Sequence, residues 1–205
     1  MITLWGRKNS INVQKALWCI EELGLAYERI DAGRGYGVTD TPEYRRMNPN
    51  GLVPTIEDDG FVLWESNAIV RYLCSKHSAG ELCPADPKVR ADADRWMDWQ
   101  ATAFTPAFGP IFHGLVRTPG SRTGGEIDTA LAASEGFAAI LDARLADRRY
   151  VAGDTFTMGD FPPGAAAFRW LNLPIERQPR PNLERYVSDI LTRPAARKVL
   201  ILPLT

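Results

Sequence analysis

The chain has 205 residues, of which 45% are apolar, and its 24 basic and 25 acidic side chains leave a formal net charge of −1. It is long enough to bury a substantial core, and it lacks the clusters of like charge that nucleic-acid binders and polybasic membrane binders carry. With neither a signal-peptide pattern nor an apolar run of membrane-spanning length, we expect a cytoplasmic protein.

The N-terminal stretch predicts a β-α-β unit. "ITLW" and "YERI" are short strand-like segments, and between them Val13, Leu17 and Ile20 share one face of a helical pattern that ends at Gly24. The polar junction "GRKNS" joins the first strand to this helix.

The next segments extend this unit into a domain over residues 1–77. After a glycine-rich loop comes a short polar helix pattern around "TPEYRRMN". "VPTI" and "FVLW" then predict two strands joined by a turn at Asp58-Asp59-Gly60. A helix begins at Glu65 or Ser66 and ends near His77. The predicted order is β-α-β-α-β-β-α.

The remainder of the chain predicts only helices. Residues 78–87 form a linker with glycine and prolines in a polar context. Beyond it, an all-helical domain over residues 88–205 contains helix-spaced apolar residues in four segments, namely 88–112, about 122–148, 157–171 and 181–200. The fold class is therefore α/β plus all-α.

The junction after the first strand is a candidate ligand site. In α/β units, free amide N–H groups and the positive helix end face outward where a strand ends and a helix begins. Ser10 and Asn12 lie there and can donate to an anion on the first helical turn. The alternative is that both residues are ordinary helix caps.

Two further segments carry features of a peptide-binding site. Pro54 within "VPTI" is tolerated only at an edge, a bulge or a cis turn, where Val53 can pair with an extended peptide by strand addition. Glu65 and Ser66, at the start of a helix, can hold the ammonium and carboxylate of an amino-acid end. Helix capping is again the alternative for this pair.

The order of these motifs, "SxN", "NPNGLVPTI" and "ESNAIVRYL", resembles that of the cytosolic glutathione transferase superfamily, in particular its serine-type theta-like and zeta-like members. The resemblance covers essentially the whole chain, because "GDTFTMGD" is similar to the buried capping motif of that family's helical domain. In that motif Thr157 would cap the helix and Asp160 would return the hydrogen bond.

The resemblance implies a thioredoxin-like first domain that binds glutathione as co-substrate. Val53 would pair with the cysteinyl backbone through cis-Pro54, while Glu65 and Ser66 would hold the γ-glutamyl end. Ser10 matches the serine that holds the thiolate, and Asn12 matches a helping asparagine of some bacterial members.

Other family mechanisms fit the sequence less well. Trp5 and Gly6 end the first strand, where tyrosine-type members carry their tyrosine. Cys19 lies about two turns into the helix, too deep to replace Ser10. The odd number of cysteines and the absence of a C-x-x-C pair predict free thiols.

One binding contact departs from the family pattern. Leu52 stands where many relatives carry a lysine or glutamine for the glycyl carboxylate. We expect Arg34, Asn50 or Lys8 to supply that contact, and the sequence leaves the choice open.

The second-substrate pocket is expected along the first long helix of the second domain. The segment "WMDWQATAFTPAFGPIFHGL" mixes aromatic residues with two prolines that would bend or break a helix. The candidate pocket residues are Phe104, Phe108, Phe112, His113 and Trp170, and each aromatic can equally be helical core.

The predicted function is therefore a glutathione transferase that activates the thiolate for attack on a small hydrophobic electrophile. The resemblance implies a homodimer with a role in detoxification. With two histidines in the chain we expect no metal site. The alternatives are a glutathione-dependent peroxidase or disulfide reductase at the same site, and a non-catalytic interaction module of the same fold.

Overall fold

The computed structural model describes residues 1–204, and Thr205, the last residue of the predicted helical domain, lies outside the described residues. The first part of the chain has the predicted β-α-β-α-β-β-α order. Its elements are β1 (Ile2–Trp5), α1 (Ile11–Glu22), β2 (Tyr27–Ile30), α2 (Pro42–Met47), β3 (Thr55–Asp58), β4 (Phe61–Trp64) and α3 (Ser66–His77).

The strands form one mixed sheet in the order β2-β1-β3-β4. β2 runs parallel to β1, because α1 carries the chain back between them, whereas β3 is antiparallel to both β1 and β4. This sheet with its helices is a thioredoxin-like domain, which confirms the predicted fold class.

The β3–β4 hairpin differs from the prediction at its start. Its two-residue loop, Asp59-Gly60, has positive φ at both positions (50° and 85°), as a primed turn requires. The strand β3, however, begins at Thr55, so Val53 and Pro54 precede it and the predicted strand "VPTI" is wrong by two residues. The Val53–Pro54 peptide bond is cis.

The second part of the chain is helical, as predicted. Its helices are α4 (Pro87–Trp99), α5 (Thr105–Ile111), α6 (Gly124–Arg144), α7 (Phe161–Leu171), α8 (Pro181–Leu191) and α9 (Pro194–Val199). The predicted segment 181–200 is in fact two helices. Proline is disfavoured within a helix, and Pro194 instead occupies the first turn of α9.

The first helical run of this domain is longer than predicted and is not broken by its prolines. It extends from Pro87 to Arg117, with π-helical turns at Gln100–Phe104 and Phe112–Arg117 on either side of α5. A proline has no N–H to donate to the preceding turn, and we infer that the wider turns accommodate Pro106 and Pro110. The second π-helical turn borders the site described below.

The start of α7 is fixed by a buried capping box. The Thr157 hydroxyl accepts from Gly159 N (3.3 Å), and Asp160 Oδ2 accepts from Thr157 N (2.9 Å). Asp160 Oδ1 also accepts from Val151 N (3.0 Å) and from the Tyr186 hydroxyl (3.0 Å). This carboxylate is fully buried, so it ties α7 to α8 and to the preceding loop.

Helix α1 joins the two domains, since it packs against α3 on one side and against α7 and α9 on the other. The Trp18 ring meets the edge of Phe161 at 4.9 Å between centroids, and Glu22 forms an ion pair with Arg193. One continuous hydrophobic core results. Among residues 1–204, no helix is both long enough and apolar enough to cross a membrane.

Candidate active site

A cleft of about 360 Å³ lies between the two domains, beside the N-terminus of α1. Ser10 and Val53 line it from the thioredoxin-like domain. Phe108, Phe112 and His113 line it from the helical domain. The cleft therefore offers polar groups on one wall and aromatic groups on the other.

Ser10 occupies the N-cap position of α1, with an extended backbone (φ −81°, ψ 124°) and only 6% of its surface exposed. Its carbonyl accepts from Gln14 N at 2.8 Å, but its side chain makes no capping hydrogen bond. The hydroxyl is therefore available to a ligand in the cleft.

A second, smaller cavity adjoins the cleft and gathers most of the other predicted residues. It is lined by Asn50, Pro54, Glu65 and Ser66, and it shares Asn12, Leu52 and Val53 with the cleft. The Ser66 hydroxyl donates to Asn12 Oδ1 at 3.4 Å. Together the two cavities form one path from the start of α1 to the start of α3.

Glu65 has an unusual backbone for a residue with a side chain. As N-cap of α3 it has φ 71° and ψ 109°, and its carboxylate does not cap the helix. Positive φ is unfavourable for L-residues and is enriched at ligand sites. The side chain is exposed and free to meet a cationic group.

The candidates for the glycyl carboxylate separate in space. Arg34 lines the cleft and Asn50 lines the smaller cavity, where its amide donates to Asn48 Oδ1. Lys8 instead lies beside Glu21 and Tyr27, outside both cavities. Arg34 is thus the cationic candidate that faces the cleft.

Two of the predicted pocket aromatics do not line the cleft. Phe104 and Trp170 are fully buried, and they pack with Phe108 in an aromatic cluster in which Phe104 lies edge-on to Phe108 at 5.3 Å. They are helical core because their side chains point into the domain. The cleft wall retains Phe108, Phe112 and His113.

Three arginines that the sequence did not indicate line the cleft beside Arg34, namely Arg7, Arg117 and Arg169. No acidic residue is among the described lining residues. We call these four residues the arginine cluster. They are far apart in sequence, so no local pattern could have revealed them together.

The electrostatics of the arginine cluster reflect burial and mutual repulsion. Burial, with the charges of Arg34 and Arg7, lowers the pKa of Arg117 to about 10. Burial, with the charges of Arg117 and Arg7, lowers the pKa of Arg169 to about 9. Burial, with the charges of Arg117, Arg34, Arg122 and Arg169, lowers the pKa of His113.

Lys15 is a further residue that the sequence did not indicate as part of the site. It is 2% exposed, and its Nζ donates to Asn67 Oδ1 and Gln100 Oε1, both at 3.1 Å. Burial lowers its pKa to about 7, against the opposing charge of Glu65. A lysine within the largely apolar "VQKALWCI" was the available signal.

The cysteines lie away from the cleft. Cys19 and Cys74 are fully buried with their Sγ atoms 3.6 Å apart, and burial raises the pKa of the Cys19 thiol. Cys19 is therefore unsuited as a nucleophile. Within residues 1–204, no group of three or more His, Cys, Asp or Glu side chains is placed to hold a metal ion.

Comparison with known proteins identifies the relatives of this arrangement. Residues 1–75 match the family model described as "Glutathione S-transferase, N-terminal domain". The chain is 43% identical to glutathione S-transferase GstB of Escherichia coli over 100% of both chains. It is 31% identical to glutathione S-transferase F13 of Arabidopsis thaliana, covering 96% of this chain and 93% of that one.

Solved structures agree with the sequence relatives. The theta class glutathione S-transferase from Xanthomonas axonopodis pv. citri, crystallised with glutathione bound, is 47% identical, with a TM-score of 0.95 over 100% of this chain and 99% of that one. The chain belongs to the cytosolic glutathione S-transferase superfamily and is a glutathione transferase.

Proposed function

We propose that the enzyme binds glutathione along the path from Ser10 to Ser66 and uses the Ser10 hydroxyl to stabilise the thiolate. The observation that carries the proposal is the placement of Ser10. Its hydroxyl makes no capping hydrogen bond and faces the cleft beside Val53. A serine that only capped α1 would use its side chain on the helix.

The two adjoining cavities indicate where the other groups of glutathione bind. Val53 pairs with the cysteinyl backbone, and Arg34 receives the glycyl carboxylate. In the smaller cavity Ser66 and the free amides of α3 hold the γ-glutamyl carboxylate, and the exposed Glu65 carboxylate holds the ammonium. Glutathione binding itself is supported by the relative that was crystallised with glutathione bound.

The available energy is sufficient for thiol ionisation. Lowering the pKa of a thiol from about 8.5 by about two units requires roughly 2.7 kcal/mol. A hydrogen bond to a charged acceptor contributes about 1.5–3 kcal/mol, and a helix N-terminus adds about 0.3–1. The arginine cluster adds positive charge beside the same cleft. The chemistry therefore needs no general base.

The reaction is then a nucleophilic attack on a second substrate held by the aromatic wall. The thiolate sulfur forms the new bond to carbon, and the leaving group departs with its electron pair. Proximity within the cleft supplies much of the rate acceleration. Phe112 and the half-buried His113 border the place of the electrophile, and Phe108, only 1% exposed, belongs mainly to the core.

Ultraviolet titration of bound glutathione tests the proposal. A thiolate that forms below neutral pH and is weakened in Ser10→Ala supports it. Binding without ionisation, or an absence of binding, would overturn the assignment of Ser10.

The assembly and location remain part of the proposal. The family resemblance supports a homodimer in the cytoplasm with a role in detoxification. Light scattering of the purified protein tests the dimer directly, because a monomeric mass at micromolar concentration would contradict it.

A further inference from the structure

The charge of the cleft does not match a purely hydrophobic electrophile. Its lining includes the whole arginine cluster, and no carboxylate lies among the described lining residues to neutralise it. Burial lowers the pKa of Arg7, Arg117 and Arg169, and the charges of neighbouring arginines in the cluster lower it further. A protein retains such an arrangement where anions complete it.

Glutathione by itself does not balance the positive charge of the arginine cluster. As proposed above, it places its thiolate and its glycyl carboxylate in the cleft, while its γ-glutamyl carboxylate lies in the adjoining cavity. Those two negative centres face four guanidinium groups. The unbalanced positive charge lies on the side of the helical domain, where the second substrate binds.

Phe112 marks the place of this unbalanced charge. The guanidinium carbons of Arg117 and Arg169 each lie 4.5 Å from the centroid of the Phe112 ring. Arg169 donates to Asn9 O (3.1 Å) and Gln14 Oε1 (3.2 Å), so it is partly used in joining α7 to α1. The Arg117 guanidinium makes neither a hydrogen bond nor an ion pair with the described residues 1–204, and it stacks on Phe112.

Buried donors in the arginine cluster also indicate a ligand that accepts hydrogen bonds. The Nε atoms of Arg7 and Arg169 are buried and have no hydrogen-bond partner among the described residues. A terminal nitrogen of Arg7 lies 3.0 Å from the position that a Cβ on Gly33 would take, next to the Val53 side chain. Arg7 therefore lies near Val53, where the cysteinyl backbone of glutathione is expected. Unsatisfied buried donors are costly and are accounted for by a ligand that accepts from them.

We propose that the second substrate is an electrophile that carries a carboxylate, which Arg117 binds beside Phe112 with Arg7 and Arg169 around it. This inference rests on the proposed function and adds its substrate class. The aromatic wall contacts the apolar part of the electrophile, and the planar guanidinium of Arg117 presents paired N–H donors to the carboxylate.

A matched pair of substrates tests the inference. Chlorodinitrobenzoate and chlorodinitrobenzamide differ only in a carboxylate against an uncharged amide. In both, the thiolate sulfur of glutathione bonds to the ring carbon and chloride leaves with the electron pair. Each kcat/KM is divided by the uncatalysed rate constant, so that the ratio for benzoate over benzamide reports recognition alone.

The variants are Arg117→Gln and, as the control, Arg122→Gln. Arg122 carries the same charge and, like Arg117, lowers the pKa of His113, but it lies beside Gly114, pairs with Glu126 on the surface and does not line the cleft. The wild-type ratio is expected to exceed one. Loss of a charge-assisted hydrogen bond should lower it by about ten- to a hundredfold in Arg117→Gln and leave it within about twofold in Arg122→Gln.

The outcomes separate the inference from the proposed function. Conjugation of the benzamide with a ratio at or below one, or an equal fall for both substrates in Arg117→Gln, would overturn the inference and leave the transferase mechanism intact. Failure to conjugate either substrate, together with absence of a bound thiolate, would overturn both. Should Arg117→Gln fail to fold, dinitrobenzoate and dinitrobenzamide are compared as inhibitors of the wild type. Tighter inhibition by the benzoate supports the inference, and equal inhibition overturns it.

Discussion

Replacing Ser10 with alanine separates the two roles that a serine can have at the start of a helix. A capping serine contributes about 1 kcal/mol through its side chain. In this protein the Ser10 side chain makes no capping bond, while its backbone carbonyl accepts from Gln14 N in either variant. We therefore expect Ser10→Ala to change the free energy of unfolding by less than about 0.5 kcal/mol.

The effect on bound glutathione should be larger. The lost hydrogen bond to a charged acceptor, about 1.5–3 kcal/mol, corresponds to a rise of about one to two units in the pKa of the bound thiol. Turnover at neutral pH should fall about ten- to a hundredfold, while the affinity for glutathione stays nearly unchanged. The deficit should narrow towards pH 9, since the thiol then ionises without help.

The assay is an ultraviolet difference titration of thiolate absorbance between about pH 5 and 9, followed by the pH profile of kcat. Asn12→Ala is the matched variant, because Asn12 lies on the same helical turn but is exposed and interacts with Ser66. An unchanged thiol pKa in Ser10→Ala would refute the reasoning. Weaker glutathione binding at constant turnover would make Ser10 a binding residue instead.

Three further predictions concern stability and the shape of the cleft. Asp160→Ala leaves several buried donors without an acceptor, so it should lower the free energy of unfolding, measured with denaturant, by about 3–5 kcal/mol. Glu126→Ala, in the exposed capping box of α6, should lower it much less, and equal losses would contradict the role of burial. The folded-state pKa of Lys15, about 7, lies below its unfolded value, so the unfolded chain binds the proton more tightly between these values. Its contribution to stability should therefore rise with pH across about pH 7–10, by up to about 1.4 kcal/mol per unit, and a wild-type minus Lys15→Met difference that stays flat with pH would show that the ammonium is not desolvated. Gly33→Ala, at φ 82°, places a Cβ 3.0 Å from a guanidinium nitrogen of the arginine cluster, so it should raise KM and also lower stability. Gly37→Ala, at φ 63° with open space around it, should lower stability alone. An identical effect on KM would contradict the contact.

The fold could be predicted from sequence because its signals are local. Strand and helix periods, the Asp59-Gly60 turn and the "GDTFTMGD" motif each act over a few neighbouring residues. The predicted ends of helices and strands were less accurate where an interaction over a longer range set them. The helical run from Pro87 to Arg117 continues through its prolines because π-helical turns accommodate them, which the pattern of residue types does not encode.

The candidate site also has a part that the sequence predicted and a part that it did not. Ser10, Val53, Glu65 and Ser66 stand at element boundaries, so sequence alone predicted them as candidates for a ligand site. Whether the Ser10 hydroxyl caps α1 depended on the side-chain geometry, which lacks the capping bond that residue type alone suggests.

Only the tertiary structure decided the charge of the cleft wall. Arg7 comes from a loop and Arg34 from a 3-10 turn of the thioredoxin-like domain, Arg117 from a π-helical turn and Arg169 from α7, and packing brings them to one cleft. The same packing turned Phe104 and Trp170 into the core. Sequence determines which local elements form, because their interactions are short-range; which side chains meet across elements depends on how those elements pack.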